Sequence, residues 1–259
     1  MDMIARIYSM IEDDEAFVLV TNKRDLDELR TTEKIGVIIA LEGAEPLDNH
    51  LRFLPIFYKL GVRLITITWS RRNAFGDGCA SRPEDETNYG LTALGKSLIK
   101  AMNRMGILID VSHLNDAGFY DVIDLTESLI VASHSCARAL VNSPRNLTDD
   151  QIQKIAETNG AIGVNFYPKF LTGDAEATIE DVIIHIDYIC QLLGNADHVG
   201  LGSDFDGIRI VPTGLENTSK IKDIPLLLAE KGYRPEEITK IMGENWARVF
   251  GEVMKVGEY

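Results

Sequence analysis

The chain has 259 residues and a formal charge of −14, from 26 basic and 40 acidic side chains. That balance argues against nucleic acid and anionic membrane as partners, because both need a basic face. A hydrophobic fraction of 45% is enough for a sizeable core and argues against disorder.

In chain order, the first element is an amphipathic helix marked by Ile4, Ile7, Tyr8, Met10 and Ile11. Short apolar runs rich in Val, Ile or Leu then read as strands at about 36–41, 62–68, 107–112, 129–133, 160–166 and 198–203. Helical patterns lie between them. Residues 92–104 carry Leu94, Leu98, Ile99 and Met102 at helical spacing, and Thr148 with Gln151 reads as a capping box opening a helix to about 158. Residues 178–193 form a broad apolar stripe, Pro235 opens a helix to about Met242, and a last helix runs from about Glu244 to Val256. Two long loops, 70–90 (with Asn73, Gly76, Gly78 and Pro83) and 203–219, follow strands.

Alternation of this kind predicts an α/β fold with a mostly parallel sheet, in one domain over 1–259. Six strands are two short of a closed (β/α)8 barrel. No apolar run approaches the ~18–20 residues that span a bilayer. The start lacks a signal-peptide pattern. The three cysteines, Cys79, Cys136 and Cys190, are unclustered and odd in number, which fits a reducing, cytoplasmic setting.

Four residues with metal-binding chemistry end strand-like runs: Glu42, His113, His134 and Asp204. Parallel barrels place their chemistry at that end. Imidazole and carboxylate together suit zinc, and three protein ligands leave a position open for water. Both histidines follow an apolar strand and a serine; the alternative for each is a packing role, and for Glu42 a helix cap. His50, His185 and His198 read as structural. Asp204, in Gly202-Ser-Asp-Phe-Asp-Gly207, is placed for acid/base work, whereas Asp206 reads as a turn residue. Arg145, in Ser143-Pro-Arg, has the geometry to grip a carboxylate, but taken alone it reads as a surface arginine.

Together these stretches resemble the renal, or membrane, dipeptidase family of zinc peptidases with amidohydrolase-like barrels. They include Gly36-Val-Ile-Ile-Ala-Leu-Glu-Gly-Ala44, Gly61-Val-Arg-Leu-Ile-Thr-Ile-Thr68 and Met102-Asn-Arg-Met-Gly-Ile-Leu-Ile-Asp-Val-Ser-His113. Ala132-Ser-His-Ser135, Pro144-Arg-Asn146, Gly163-Val-Asn-Phe-Tyr167 and His198-Val-Gly-Leu-Gly-Ser-Asp-Phe-Asp-Gly207 follow in the family's order.

The resemblance implies a metal-activated hydroxide attacking the peptide bond of a dipeptide. Glu42 would bridge two zinc ions, His113 and His134 would hold the second, and Asp204 would be the acid/base. Arg145 would bind the terminal carboxylate, with Tyr167, Trp69 and Asn73 lining the substrate pocket. The family also has a His-x-Asp pair on its opening strand, which no strand candidate here carries, and Trp69 stands where members often place a histidine. The expectation is therefore a chain without the family's first two strands, binding one zinc at most and weakly active by itself. The alternative is a non-catalytic, degenerate barrel that needs a partner chain. A homo-oligomer is compatible with either reading. A phosphate-handling barrel enzyme is disfavoured, since neither a Gly-rich phosphate loop near the last strands nor a strand-end lysine is evident.

Overall fold

All six predicted runs pair in one sheet, in sequence order and all parallel: β3 (Ile39–Glu42), β4 (Val62–Thr66), β5 (Leu108–Asp110), β6 (Ile130–Ala132), β7 (Ala161–Asn165) and β8 (Val199–Gly202). Two further short strands, β1 (Phe17–Leu19) and β2 (Ile35–Val37), pair parallel with each other. The segment 35–42 therefore changes neighbour at Ile38, meeting β1 first and β4 afterwards. The computed structural model describes residues 1–80, 84, 87 and 89–255; Pro83 and Val256 lie outside the described residues.

The sheet curls as a half-barrel because each connection carries a crossover helix, and a singly wound parallel sheet twists one way. Helix Ala93–Met105 begins where the Thr92 side chain accepts from Gly95 N–H, and ends at Gly106, whose φ of 72° suits a residue without Cβ. Helix Asp149–Glu157 opens with the predicted Thr148–Gln151 capping box. Helix Ile179–Leu193 buries Val182, Ile186 and Ile189 in the same apolar cluster as Ile65, Ile109, Ile130 and Ile162 of the strands. Each such side chain contributes about 1.5–3 kcal/mol on burial.

The opposite face of the sheet is divided along its length. Toward the amino ends of the strands, Leu64, Leu108, Val131 and Ala161 pack with Trp246, Val249 and Phe250 of the helix Asn245–Val253. Two residues beyond Leu64, Leu108 and Val131 the same face carries Thr66, Asp110 and Ser133, with Thr66 registered against Asp110. The apolar half is sealed by the last helix; the polar half supports the site. The C-terminal helical region is interrupted: Pro235–Thr239, then a widened turn at Lys240–Glu244 with Gly243 outside helical geometry, then Asn245–Val253.

Candidate metal centre

Glu42, His113 and His134 stand at the carboxyl ends of three different strands or just beyond them, and their ligand atoms lie within 4.8 Å of one another. Glu42 Oε1 is 2.8 Å from His113 Nε2 and 3.4 Å from His134 Nε2, and the two imidazole nitrogens are 2.8 Å apart. Glu42 faces this point instead of capping the following turn. Two ring nitrogens and a carboxylate oxygen this close leave lone pairs facing one another unless a proton or a cation sits among them. A borderline cation with mixed nitrogen and oxygen ligands fits that donor set.

Electrostatics favour the same state. The close approach of the His113 and His134 imidazoles holds the Glu42 carboxyl well below the usual carboxylate range, against the opposing effect of burial. Burial lowers His113 to about 4, aided by the Arg145 charge and opposed by Glu42, so its ring is neutral at physiological pH. A neutral ring can offer a lone pair.

Both histidines of the cluster are held from behind. His113 has a left-handed φ of 66°, an uncommon conformation for a residue with a side chain. The 70–90 loop supports it: Cys79 N–H donates to His113 O at 2.7 Å, and Ser70 Oγ lies 2.8 Å from His113 Nδ1. His134 Nδ1 lies 2.7 Å from Ser133 Oγ, which in turn donates to Asp110 Oδ2 at 2.6 Å. Burial opposes ionisation of Asp110, but nearby His134 and bonds from Ser133 and Thr66 outweigh it and keep the carboxyl below its ordinary range. No sequence pattern marks Ser70 or Asp110; the serine before His134 is visible in the sequence, but its bond to Asp110 is not.

A cleft of about 410 Å³ opens beside the cluster, lined by Glu42, Trp69, His113, Arg145, Tyr167 and Asp204 among others. Asp204 also has a positive φ, 60°, and Asn165 Nδ2 donates to its Oδ2 at 3.1 Å. Trp69 stacks on His113 with centroids 5.8 Å apart, and Tyr167 meets Phe170 edge-on at 4.9 Å.

Arg145 is buried, not on the open surface: Nη2 donates to His134 O at 3.0 Å, and its guanidinium lies 5.3 Å from the centre of the Phe170 ring. Its Nε has no hydrogen-bond partner among the described residues. Asn73 is not among the cleft-lining residues. It shapes its own loop, donating to Ile67 O and accepting from the N–H groups of Phe75 and Gly76.

Two further histidines are engaged elsewhere. His198 Nδ1 lies 2.9 Å from Gly160 O, and His185 is buried between Ala137 N–H and Leu171 O. His185 and Asp187 have a His-x-Asp spacing, but they lie within helix Ile179–Leu193, and Asp187 binds Tyr233 and Lys231.

A parallel half-barrel with an imidazole–carboxylate cluster and an acid beside it at the strand ends has the arrangement of barrel-class metallohydrolases. The chain belongs to the membrane dipeptidase family, peptidase family M19, whose profile matches residues 1–259. It is 37% identical to an uncharacterized dipeptidase of Schizosaccharomyces pombe over 86% of this chain and 54% of that one, so it spans about half the length of that relative. Among solved structures it is similar to a dipeptidase of the same family, with a TM-score of 0.92 and 33% identity over 98% of this chain and 76% of the other. It is also similar to a metallopeptidase from Rhodobacter sphaeroides liganded with a phosphinate mimic of the dipeptide L-Ala-D-Ala. That match has a TM-score of 0.89 and 33% identity over 96% of this chain and 72% of that one.

Proposed function

We propose that the protein is a zinc-dependent dipeptidase in which Glu42, His113 and His134 hold a zinc ion. The observation that carries this reading is the convergence of these three donors beside a cleft shared by Arg145 and Asp204. When bound, the ion supplies Lewis-acid polarisation of the scissile carbonyl and acidifies a water. Arg145 offers N–H groups to the free carboxylate of the substrate, which fixes the peptide bond over the cluster. Asp204 takes the proton of the attacking water and delivers it to the leaving amine nitrogen. Trp69, Tyr167 and Phe170 wall the cleft and reduce water around the reacting groups.

Membership of the family supports dipeptides as the substrate class, and the Rhodobacter relative's phosphinate ligand supports a small dipeptide of the alanyl-alanine type. Cys136 and Cys190, both buried and neither in a disulfide, support a reducing compartment.

The test is metal analysis of the purified protein together with hydrolysis of a dipeptide panel that includes L-Ala-D-Ala, before and after chelation. One tightly held zinc per chain and turnover lost on chelation are expected. Absence of stoichiometric zinc, or turnover indifferent to chelation, refutes the reading.

A further inference from the structure

Asp110 is completely buried, and its two oxygens are surrounded by donors. Oδ2 accepts from Thr66 Oγ1 and from Ser133 Oγ, each at 2.6 Å. Oδ1 accepts from the backbone N–H groups of Ser112 at 3.0 Å and Ser133 at 2.9 Å. A carboxylate in this setting only accepts. The single hydroxyl proton of Ser133 is therefore committed to Asp110.

The consequence falls on His134. Its Nδ1 lies 2.7 Å from Ser133 Oγ, an oxygen with no proton left to give, so Nδ1 must be the donor. A neutral imidazole carries one N–H. With that proton on Nδ1, the lone pair belongs to Nε2, the atom that faces Glu42 Oε1 and His113 Nε2. The main chain at His134 is also held, because its backbone N–H donates to Ser112 Oγ at 3.1 Å.

We propose that Asp110 is a positioning residue that acts through Ser133 to hold His134 as its Nδ1–H tautomer, presenting Nε2 as the ligand atom. The consequence for metal binding rests on the zinc-site reading above; the tautomer itself does not. Among the described residues His113 has no equivalent relay: Ser70 Oγ lies 2.8 Å from its Nδ1 and meets the Cys79 sulfur at 3.8 Å, a contact in which either atom can donate. The two histidines are thus held unequally, one by a committed chain of donors and one by a hydroxyl whose donor role the described contacts leave unassigned.

The experiment uses protein labelled with ¹⁵N-histidine. Long-range ¹H–¹⁵N correlation of the metal-free form reads the tautomer of His134 in the wild type, Ser133→Ala, Ser133→Thr and Asp110→Asn. The wild type and Ser133→Thr are expected as Nδ1–H; Ser133→Ala and Asp110→Asn are expected to move toward Nε2–H. Chelator competition with zinc should show affinity about 10- to 100-fold weaker in those two variants, the usual cost of losing such outer support, with Ser133→Thr close to the wild type.

If Asp110→Asn does not fold, Ser133→Ala carries the test, since it leaves Asp110 three of its four donors. A wild-type His134 found as Nε2–H, or a Ser133→Ala protein unchanged in tautomer, overturns the proposal. Failure of the wild type to bind zinc at all would instead sink the proposed function, with the tautomer comparison still deciding this point.

Discussion

Asn165 Nδ2 donates to Asp204 Oδ2 at 3.1 Å, joining the last residue of β7 to the acid just beyond β8. The Asn165 side chain is itself fixed, because its Oδ1 accepts from Tyr167 N–H at 2.5 Å. Asp204 thus has one oxygen anchored, and its other oxygen has no hydrogen-bond partner among the described residues, which suits the proposed proton transfer. Asp204→Asn is expected to lower kcat on a dipeptide by about 10²–10⁴-fold, the range of a lost general acid/base. Asn165→Ala leaves the carboxylate in place but unanchored, so a smaller fall in kcat, roughly 10- to 100-fold, is expected with KM little changed. Steady-state kinetics of both variants decide it; an Asn165→Ala enzyme with undiminished kcat would show that the anchor is dispensable.

Strand packing under the site leaves no room for a methyl group at Gly163. A Cβ there would lie 2.1 Å from Ser133 O and 2.9 Å from the Gly202 Cα, both backbone atoms that cannot rotate away. Gly163→Ala should therefore cost about 1–3 kcal/mol, as overpacking does. Gly194 offers the contrast: its φ is 70°, but a Cβ would meet nothing within 4 Å. Gly194→Ala pays for backbone strain alone, about 1 kcal/mol. Urea denaturation of the two variants should rank them in that order.

Periodicity located the six-stranded sheet because each run is apolar on both faces, and Thr148 with Gln151 marked a helix start through a bond that is local in sequence. Strand β1 escapes notice because three residues are too few to show a period, and the single run at 36–41 does not reveal that it divides into β2, paired with β1, and β3, paired with β4. Glu42, His113 and His134 were legible as strand-end residues, whereas Asp110 was not. Its role depends on register with Thr66 and on Ser133 one strand away, contacts that no local pattern encodes. Arg145 was misjudged alone for the same reason: its burial comes from Phe170 and the His134 carbonyl, not from its neighbours in the chain.

The loop that presents Arg145 is tied down by an ion pair with a pH signature. Arg138 donates to both oxygens of Asp116, at 2.7 and 2.8 Å, and Gln151 Nε2 adds a third bond at 2.8 Å. Burial favours the neutral acid, but these bonds outweigh it, and the folded-state pKa of Asp116 is lowered. A carboxyl lowered on folding contributes stability that is present above its unfolded pKa, about 3.9. That contribution is lost as pH falls through the lower folded value. Chemical denaturation from about pH 5 downward should therefore show a steeper loss of stability in the wild type than in Asp116→Asn. Parallel pH profiles would remove Asp116 from the acid response.

The cysteines give a check on the packing itself. Burial raises the Cys136 thiol to about 12 and the Cys190 thiol to about 11, and neither is exposed. Thiolate is the reactive form, so both should resist alkylation at pH 8 in the native protein and react in denaturant. Peptide mass mapping after iodoacetamide treatment reads this directly. Rapid native modification of Cys136, which lies against the Asn165 carbonyl, would contradict the close packing of β6 on β7.

Arg145 offers the most direct test of how substrate is held. Its guanidinium donates Nη2 to the His134 carbonyl and, at 3.4 Å, Nη1 to Ser135 Oγ, while Nε has no partner among the described residues. A buried N–H left unpaired is costly, and a carboxylate arriving in the cleft would satisfy it. Arg145→Ala should accordingly raise KM for a dipeptide about 10²-fold, in line with truncating one partner of a buried charge pair, and lower kcat less. Arg145→Lys keeps the charge but not the planar fork, so it should recover only part of that loss. The native fold must be checked in parallel, since the same side chain braces the carbonyl of a metal-cluster residue; zinc affinity within error of the wild type, together with a raised KM, would assign the effect to the substrate. A KM unchanged in the alanine variant would place the carboxylate-binding group elsewhere, and Arg209, also on the cleft wall, would be the next residue to substitute.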